Sequence, residues 1–204
     1  MLFRSPIVPR YAHDPTAAQQ LLADAGWTRG GDGILMSAEG ERFETAVWAR
    51  AGVASLERAI QVVADQWHAV GIQATPYAIP PALSADREYE AKYPGVIGGF
   101  PNAEEMYESR LLSRQASGPD NRWTGRNRAA YSNPRVDQLI DQLAVTVDPQ
   151  TQIPLHRELV QEVFTDLPFI PVTWDVYPVL VSGRVKGDPS AVNAGWNIFE
   201  WDKD

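Results

Sequence analysis

The stretch Phe43–Gly71, FETAVWARAGVASLERAIQVVADQWHAVG, reads as one strand, one sharp turn and one long amphipathic helix. Phe43, Thr45, Val47 and Trp48 carry the β-branched and aromatic bias of a strand, and the run stops at Ala49-Arg50-Ala51-Gly52. From Leu56 onward, apolar residues recur at Ala59, Ile60, Val63, Trp67 and Val70, the stripe of a helix with one buried face. Ser55 is placed to cap its start, and Gly71 to end it, because glycine takes up the left-handed conformation of a last turn without a Cβ clash. A strand running into a helix is half of an α/β unit. Ligands in such sheets sit beyond the carboxyl ends of strands, which directs attention to the turn carrying Arg50.

Working outward, Ile72–Ile79 reads as a second strand, and Pro76 confines it to an edge or a bulge, since proline has no N–H for a central ladder. Upstream, a short strand at Ile34–Met36 and a turn at Ala38-Glu39-Gly40 form a hairpin with the central strand. Before it, Asp14-Pro15 opens a helix with Ala18, Leu21, Leu22 and Ala25 on one face, stopped by Gly26. Residues 1 to 13 are an extended lead-in. Downstream, Pro80–Pro94 reads as a polar surface helix and loop, and Gly95–Phe100 as a buried strand with glycines at points of close approach. Asn102 is placed to cap a helix over 103–113, residues 115–130 lack periodicity, and Asn133-Pro134 starts a helix buried through Val136, Leu139, Ile140 and Leu143. A further helix carries Leu155, Leu159, Val163 and Phe164, and the cost of an interior proline puts Pro154 in its first turn. Strands over Phe169–Trp174 and Tyr177–Ser182 precede a tail ending WNIFEW.

With 204 residues and 44% hydrophobic content, the chain is long enough to bury most of its apolar surface, and one domain is expected. Its 18 basic and 26 acidic side chains give a net charge of −8, with no basic run of the kind phosphate backbones require, which argues against nucleic acid as a partner. Cysteine is absent, which removes disulfides, thiolate metal sites and a cysteine nucleophile. His13, His68 and His156 lie in separate elements without ligand spacing, so neither a metal nor another cofactor is expected. No serine sits in a nucleophile-elbow pattern, and Gly30-Gly31-Asp32-Gly33 lacks the lysine and helix of a phosphate loop. Asp137 and Asp141 stand one helical turn apart but off the buried stripe, where a solvated face accounts for them better than a catalytic dyad.

Two loops are left as candidates. Arg50 and the amides of the following helix are placed to hold a carboxylate, and pairing with a structural acid is the competing role. Gly99-Phe100-Pro101-Asn102 ends another strand, with Gly99 allowing close backbone approach and Phe100 offering an aromatic wall or a core ring. If the two strands are parallel, both turns open on one edge of the sheet.

Six segments in this order resemble the C-terminal lobe of the family 5 solute-binding proteins of ABC importers, the dipeptide, oligopeptide and nickel-binding group. They are YAHDPTAAQQLLADAGW, the hairpin from DGIL to EGERFETAVW, AIQVVADQWHAVGI, YSNPRVDQLI, VFTDLPFIPVTW and WNIFEW. The resemblance implies a mixed α/β sheet flanked by helices, in a periplasmic-binding-protein-like fold of type II, cluster C. It implies that residues 1–204 form a truncated C-terminal lobe, with 1–13 near the inter-lobe hinge and 183–204 returning towards an N-terminal lobe that is missing. It implies a periplasmic or extracytoplasmic protein, lipid-anchored in some members, that closes on a small solute and delivers it to an ABC permease. The solute would be a peptide, sugar, opine or metal chelate, and no catalysis is expected. In peptide-binding relatives a basic residue after the corresponding strand meets the ligand carboxylate, and by position this falls on Arg50. The family's Gly-Trp and acidic, proline-containing loop fall on Gly99, Phe100, Pro101 and Asn102, where Phe replaces Trp and no Asp stands to meet a peptide amine. Two other readings stay open beside this one: a carbohydrate-active hydrolase with paired carboxylates, and a stand-alone protein-interaction module.

Overall fold

A computed structural model describes residues 9–99, 110–172, 182, 184–186 and 202–203. The chain divides into two compact units, Met1–Ile170 and Pro171–Asp204. In the first unit, helix α1 (Pro15–Asp24) starts as its sequence dictates: the Asp14 carboxylate accepts from Thr16 N and Ala17 N, and Pro15 opens the first turn. Strands β1 (Thr28–Arg29) and β2 (Leu35–Met36) pair antiparallel. The expected hairpin from β2 into the central strand reduces to a single bridge, Met36 to Arg42, around a turn closed by Ser37 and Glu41.

The central strand β3 (Glu44–Arg50), helix α2 (Ala54–Ala69) and strand β4 (Gln73–Ile79) follow, then the short helix α3 (Arg87–Ala91) and strand β5 (Val96–Ile97). The sheet order is β4-β3-β5, and both pairings are parallel. Pro76 therefore lies on an edge strand, as its missing donor requires. Alternation along β3 separates two faces. Val47 and Ala49 are buried under Leu56, Ile60 and Ala64 of α2, together with Ile72 and Ala74, each large apolar side chain contributing about 2 kcal/mol. Trp48 and Arg50 point to the opposite face.

Two details of α2 differ from expectation. Its N-cap is Val53, which offers no side-chain bond, and Ser55 falls inside the first turn. The carboxylate of Glu57 closes that end instead, accepting from Gly52 N at 2.7 Å. At the other end Gly71, at φ 100°, lets Ile72 N donate to Trp67 O. A Cβ there would press on Leu35 Cγ at 3.0 Å and on the Gly33 carbonyl at 3.1 Å, so the position requires glycine twice over.

A second core of the same unit joins Leu111 and Leu112 to helices α4 (Pro134–Val145) and α5 (Pro149–Asp166), through Val136, Leu139, Ile140, Leu159 and Val163. Asn133 caps α4 by accepting from Arg135 N and Val136 N. Pro154 is not in the first turn of α5. Asp148 and Pro149 supply a better start one turn earlier, with the Asp148 carboxylate accepting from Thr151 N and Oγ1, and the helix carries Pro154 in its interior. Phe169–Val172 is irregular rather than a strand, and the rest of the two expected C-terminal strands lies outside the described residues. In the second unit, β6 (Val185–Lys186) pairs antiparallel with β7 (Asp202–Lys203).

Candidate functional site

Parallel pairing places the carboxyl ends of β3 and β5 on one edge, so the turns after Arg50 and Gly98 open side by side. Gly98 N donates to Trp48 O at 2.7 Å, which fixes the end of β5 against β3. Tight packing of β5 falls on Gly95, where a Cβ would run into Thr45 Oγ1 and the Ala46 carbonyl. Gly99 is exposed and, among the described residues, has open space where its Cβ would be. Phe100, Pro101 and Asn102 lie outside the described residues.

Arg50, the last residue of β3, is half-exposed, and its guanidinium makes a two-pronged bond to Glu90: Nε to Oε1 at 2.6 Å and Nη2 to Oε2 at 2.9 Å. This ion pair keeps the guanidinium above its ordinary value, chiefly through the Glu90 hydrogen bond. Glu90 belongs to α3, which begins at Asp86 with a bond from Tyr89 N, and is only 1% exposed. A third member comes from the loop between Leu112 and α4: Arg128 Nη1 lies 2.8 Å from Glu90 Oε2. One buried carboxylate thus holds two arginines side by side.

Aromatic residues flank this group on the same face of the sheet. The Trp48 ring lies 4.9 Å from Tyr77 and 5.0 Å from Tyr89, and the two tyrosine hydroxyls are 2.8 Å apart. That bond, more than burial, raises the Tyr89 phenol above its ordinary value. Sequence reasoning missed this wall. The available signal was parity: Trp48 and Arg50 are two apart on one strand and must share a face.

Arg128 sits in the loop Ser113–Tyr131, which is built rather than slack. Asn127 is fully buried and binds three backbone groups: its Nδ2 donates to Leu112 O and Tyr131 O, and its Oδ1 accepts from Tyr131 N. Gly125 approaches the Gln115 and Ala116 carbonyls so closely that no Cβ would fit. Arg122 and Trp123 are both left-handed, at φ 53° and 59°, a conformation that surrounding contacts must impose. Lys92 Nζ lies 5.2 Å over the Trp123 ring.

The carboxylates weighed for catalysis are otherwise engaged. Asp137 accepts from Ser113 N and Oγ, and Asp141 pairs with Arg114 at 2.7 Å. Among the described residues no group of three or more His, Cys, Asp or Glu could hold a metal ion. No helix among them is long and apolar enough to cross a membrane.

Residues 3–118 match the model for bacterial extracellular solute-binding proteins, family 5 Middle. Over 184 residues the chain is 26% identical to the heme-binding protein A of Haemophilus influenzae, covering 87% of this chain and 30% of that protein. The oligopeptide-binding protein of Thermus thermophilus, solved with a pentapeptide, superposes with a TM-score of 0.70 at 27% identity, over 80% of this chain and 30% of that one. NikZ of Campylobacter jejuni, solved in complex with Ni(L-His), gives a TM-score of 0.75 at 20% identity over 96% of this chain and 40% of that one, a likeness of fold. The chain thus spans well under half the length of these relatives.

Proposed function

The chain belongs to the family 5 bacterial extracellular solute-binding proteins, and from that premise we propose that it is the solute-capturing part of an ABC importer. It acts by binding, not by catalysis, outside the cytoplasm. The observation that carries this reading is the shared edge of β3 and β5. There a half-exposed arginine, an exposed glycine and three adjacent aromatic rings lie at or beside the carboxyl ends of parallel strands.

In this reading the 204 residues are one ligand-binding lobe, the C-terminal one, with residues 1–13 near a hinge and 183–204 returning towards a second lobe. Arg50, Gly99, Phe100, Pro101 and Asn102 form its contribution to the ligand wall. The relatives named above are described with a heme, a pentapeptide and a nickel–histidine complex, so the ligand class comes from this chain's own wall rather than from the family.

The test is a titration of the 204-residue chain, followed by backbone amide NMR, with a pentapeptide, trehalose and Ni²⁺–histidine as probes. Weak, saturable shifts at Ala51, Gly52, Gly98 and Gly99 are expected with at least one probe, because one wall supplies only part of the contacts. Shifts confined to other surfaces, or turnover of a probe, overturn the reading. Micromolar affinity of the isolated chain would overturn its division into two ligand-binding lobes.

A further inference from the structure

Building on that reading, we propose that Arg128 is a second ligand-facing cation, that Glu90 is the residue positioning it beside Arg50, and that the wall selects solutes bearing two negative charges, a dicarboxylate or a phosphate. Arg50 and Arg128 share one carboxylate, and both bond its Oε2. Two guanidiniums held this close repel each other, and a single Glu90 neutralises only one of them, which leaves a local excess of one positive charge.

Exposure gives that excess a direction. The side chains of Arg50 and Arg128 are 49% and 39% exposed, while that of Glu90 is 2% exposed, so the acid lies beneath and the cations face outward. Arg50 uses only Nε and Nη2 on Glu90 and has no further hydrogen bond among the described residues, which leaves Nη1 to meet an incoming oxygen. Arg128 comes from residues 110–128, which hold five arginines and one acid, Asp120, in a chain of net charge −8. The loop that carries it is pinned by buried Asn127, by the close approach of Gly125 and by two left-handed residues. A pinned cation binds an anion without first losing rotamer entropy.

A purely structural role would also explain the Arg128–Glu90 pair, as a staple between the loop and α3, so the experiment separates the two. The 204-residue chain and its Arg128→Gln, Arg128→Lys and Arg122→Gln variants are titrated with succinate, inorganic phosphate, acetate and neutral trehalose. Arginine Nε–H and backbone amide resonances report binding, and melting temperatures are recorded in parallel. Succinate or phosphate is expected to move the Nε–H signals of Arg50 and Arg128 together, and more strongly than acetate at equal concentration.

Arg128→Gln is expected to lower the affinity for the doubly charged probes about tenfold, the size of one charge-assisted hydrogen bond. Arg128→Lys should retain most of it, and Arg122→Gln should stay within about twofold, because Arg122 touches neither Glu90 nor Arg50. The proposal is overturned if Arg128→Gln binds succinate and phosphate as the parent does. It also falls if Arg122→Gln loses as much, or if the affinity of each variant merely tracks its melting temperature. Trehalose shifting the sheet edge while neither anion engages Arg128 would overturn this inference and leave the proposed function standing. Silence at the edge with every probe would overturn both.

Discussion

At the residue scale, the hydrogen bond from Tyr131 Oη to Asp166 Oδ2, 2.6 Å long, ties the entry of α4 to the end of α5 and has a pH signature. Asp166 lies below the ordinary 3.8, chiefly because of that bond and then of one from Asn133. The Tyr131 phenol lies well above 10.0, first through burial and then through Asp166. A depressed carboxyl contributes stability that is complete above its unfolded value and disappears as pH falls through the folded one. A raised phenol contributes stability that is complete below its unfolded value and disappears as pH rises through its folded one. The pair is therefore expected to act fully from about pH 5 to 9 and to fade on either side. Melting curves of the parent and Asp166→Asn should differ most near pH 7 and draw together progressively as pH falls below the ordinary 3.8; a gap that does not narrow in acid would refute it. Glu90 shows what single residues conceal. Read as one acid of the polar run Asp86–Glu90, it belongs on the surface, yet it is buried because two arginines distant in sequence meet there. Local pattern carries no trace of such a pairing.

At the element scale, starts and stops of helices were legible wherever the signal is local. Asp14, Asn133 and Gly71 act as their chemistry requires, since a short side chain or a missing Cβ does the same thing in any context. Ser55 and Pro154 were misread because a neighbour did better: Glu57 reaches back to Gly52 N, and Asp148-Pro149 starts α5 before Pro154 is reached. Pro154 leaves the Gln150 carbonyl without its helical donor, so Pro154→Ala is expected to raise stability by about 1–2 kcal/mol, less than the full interior-proline penalty because the unfolded chain also gains freedom. Urea unfolding measures it, and an unchanged or lower midpoint would show that the helix has adapted around the ring. Residues 115–130 show no periodicity in the sequence, yet the loop is ordered, with the buried Asn127 amide as one of its main ties. Asn127→Ala leaves the part-buried Tyr131 carbonyl and N–H without their partner, while the Leu112 carbonyl keeps its bond from Gln115 N, at a cost of about 2 kcal/mol. A loss below about 1 kcal/mol would mean that water replaces the side chain without difficulty.

At the scale of the whole molecule, the strand–turn–helix unit and the family were legible because strand, turn and helix follow one another in sequence and six segments keep their order, whereas the parallel pairing entered only as a condition. The shape of the site was not, because it is assembled from β3, α3 and a loop nearly 80 residues further along. That assembly has a mechanical consequence. The core around α2 and the sheet shares no residue with the core around α4 and α5. Side-chain links between the two regions include Arg50 and Arg128 on Glu90, Lys92 over the Trp123 ring, and Tyr11 Oη donating to Phe164 O at 2.7 Å. Glu90→Gln keeps the shape but removes the charge that holds both arginines; because the charge removed is the buried one and the cations left behind are 49% and 39% exposed, the expected loss is about 1 kcal/mol. Much of that loss should appear as lost coupling between the cores. In calorimetry the parent is expected to unfold in one transition and Glu90→Gln in two, and hydrogen exchange should show Pro134–Asp166 losing protection separately from β3 and α2. One sharp transition at a lower temperature, with protection lost evenly across both cores, would mean that their connection runs through other contacts and that Glu90 only positions its two arginines.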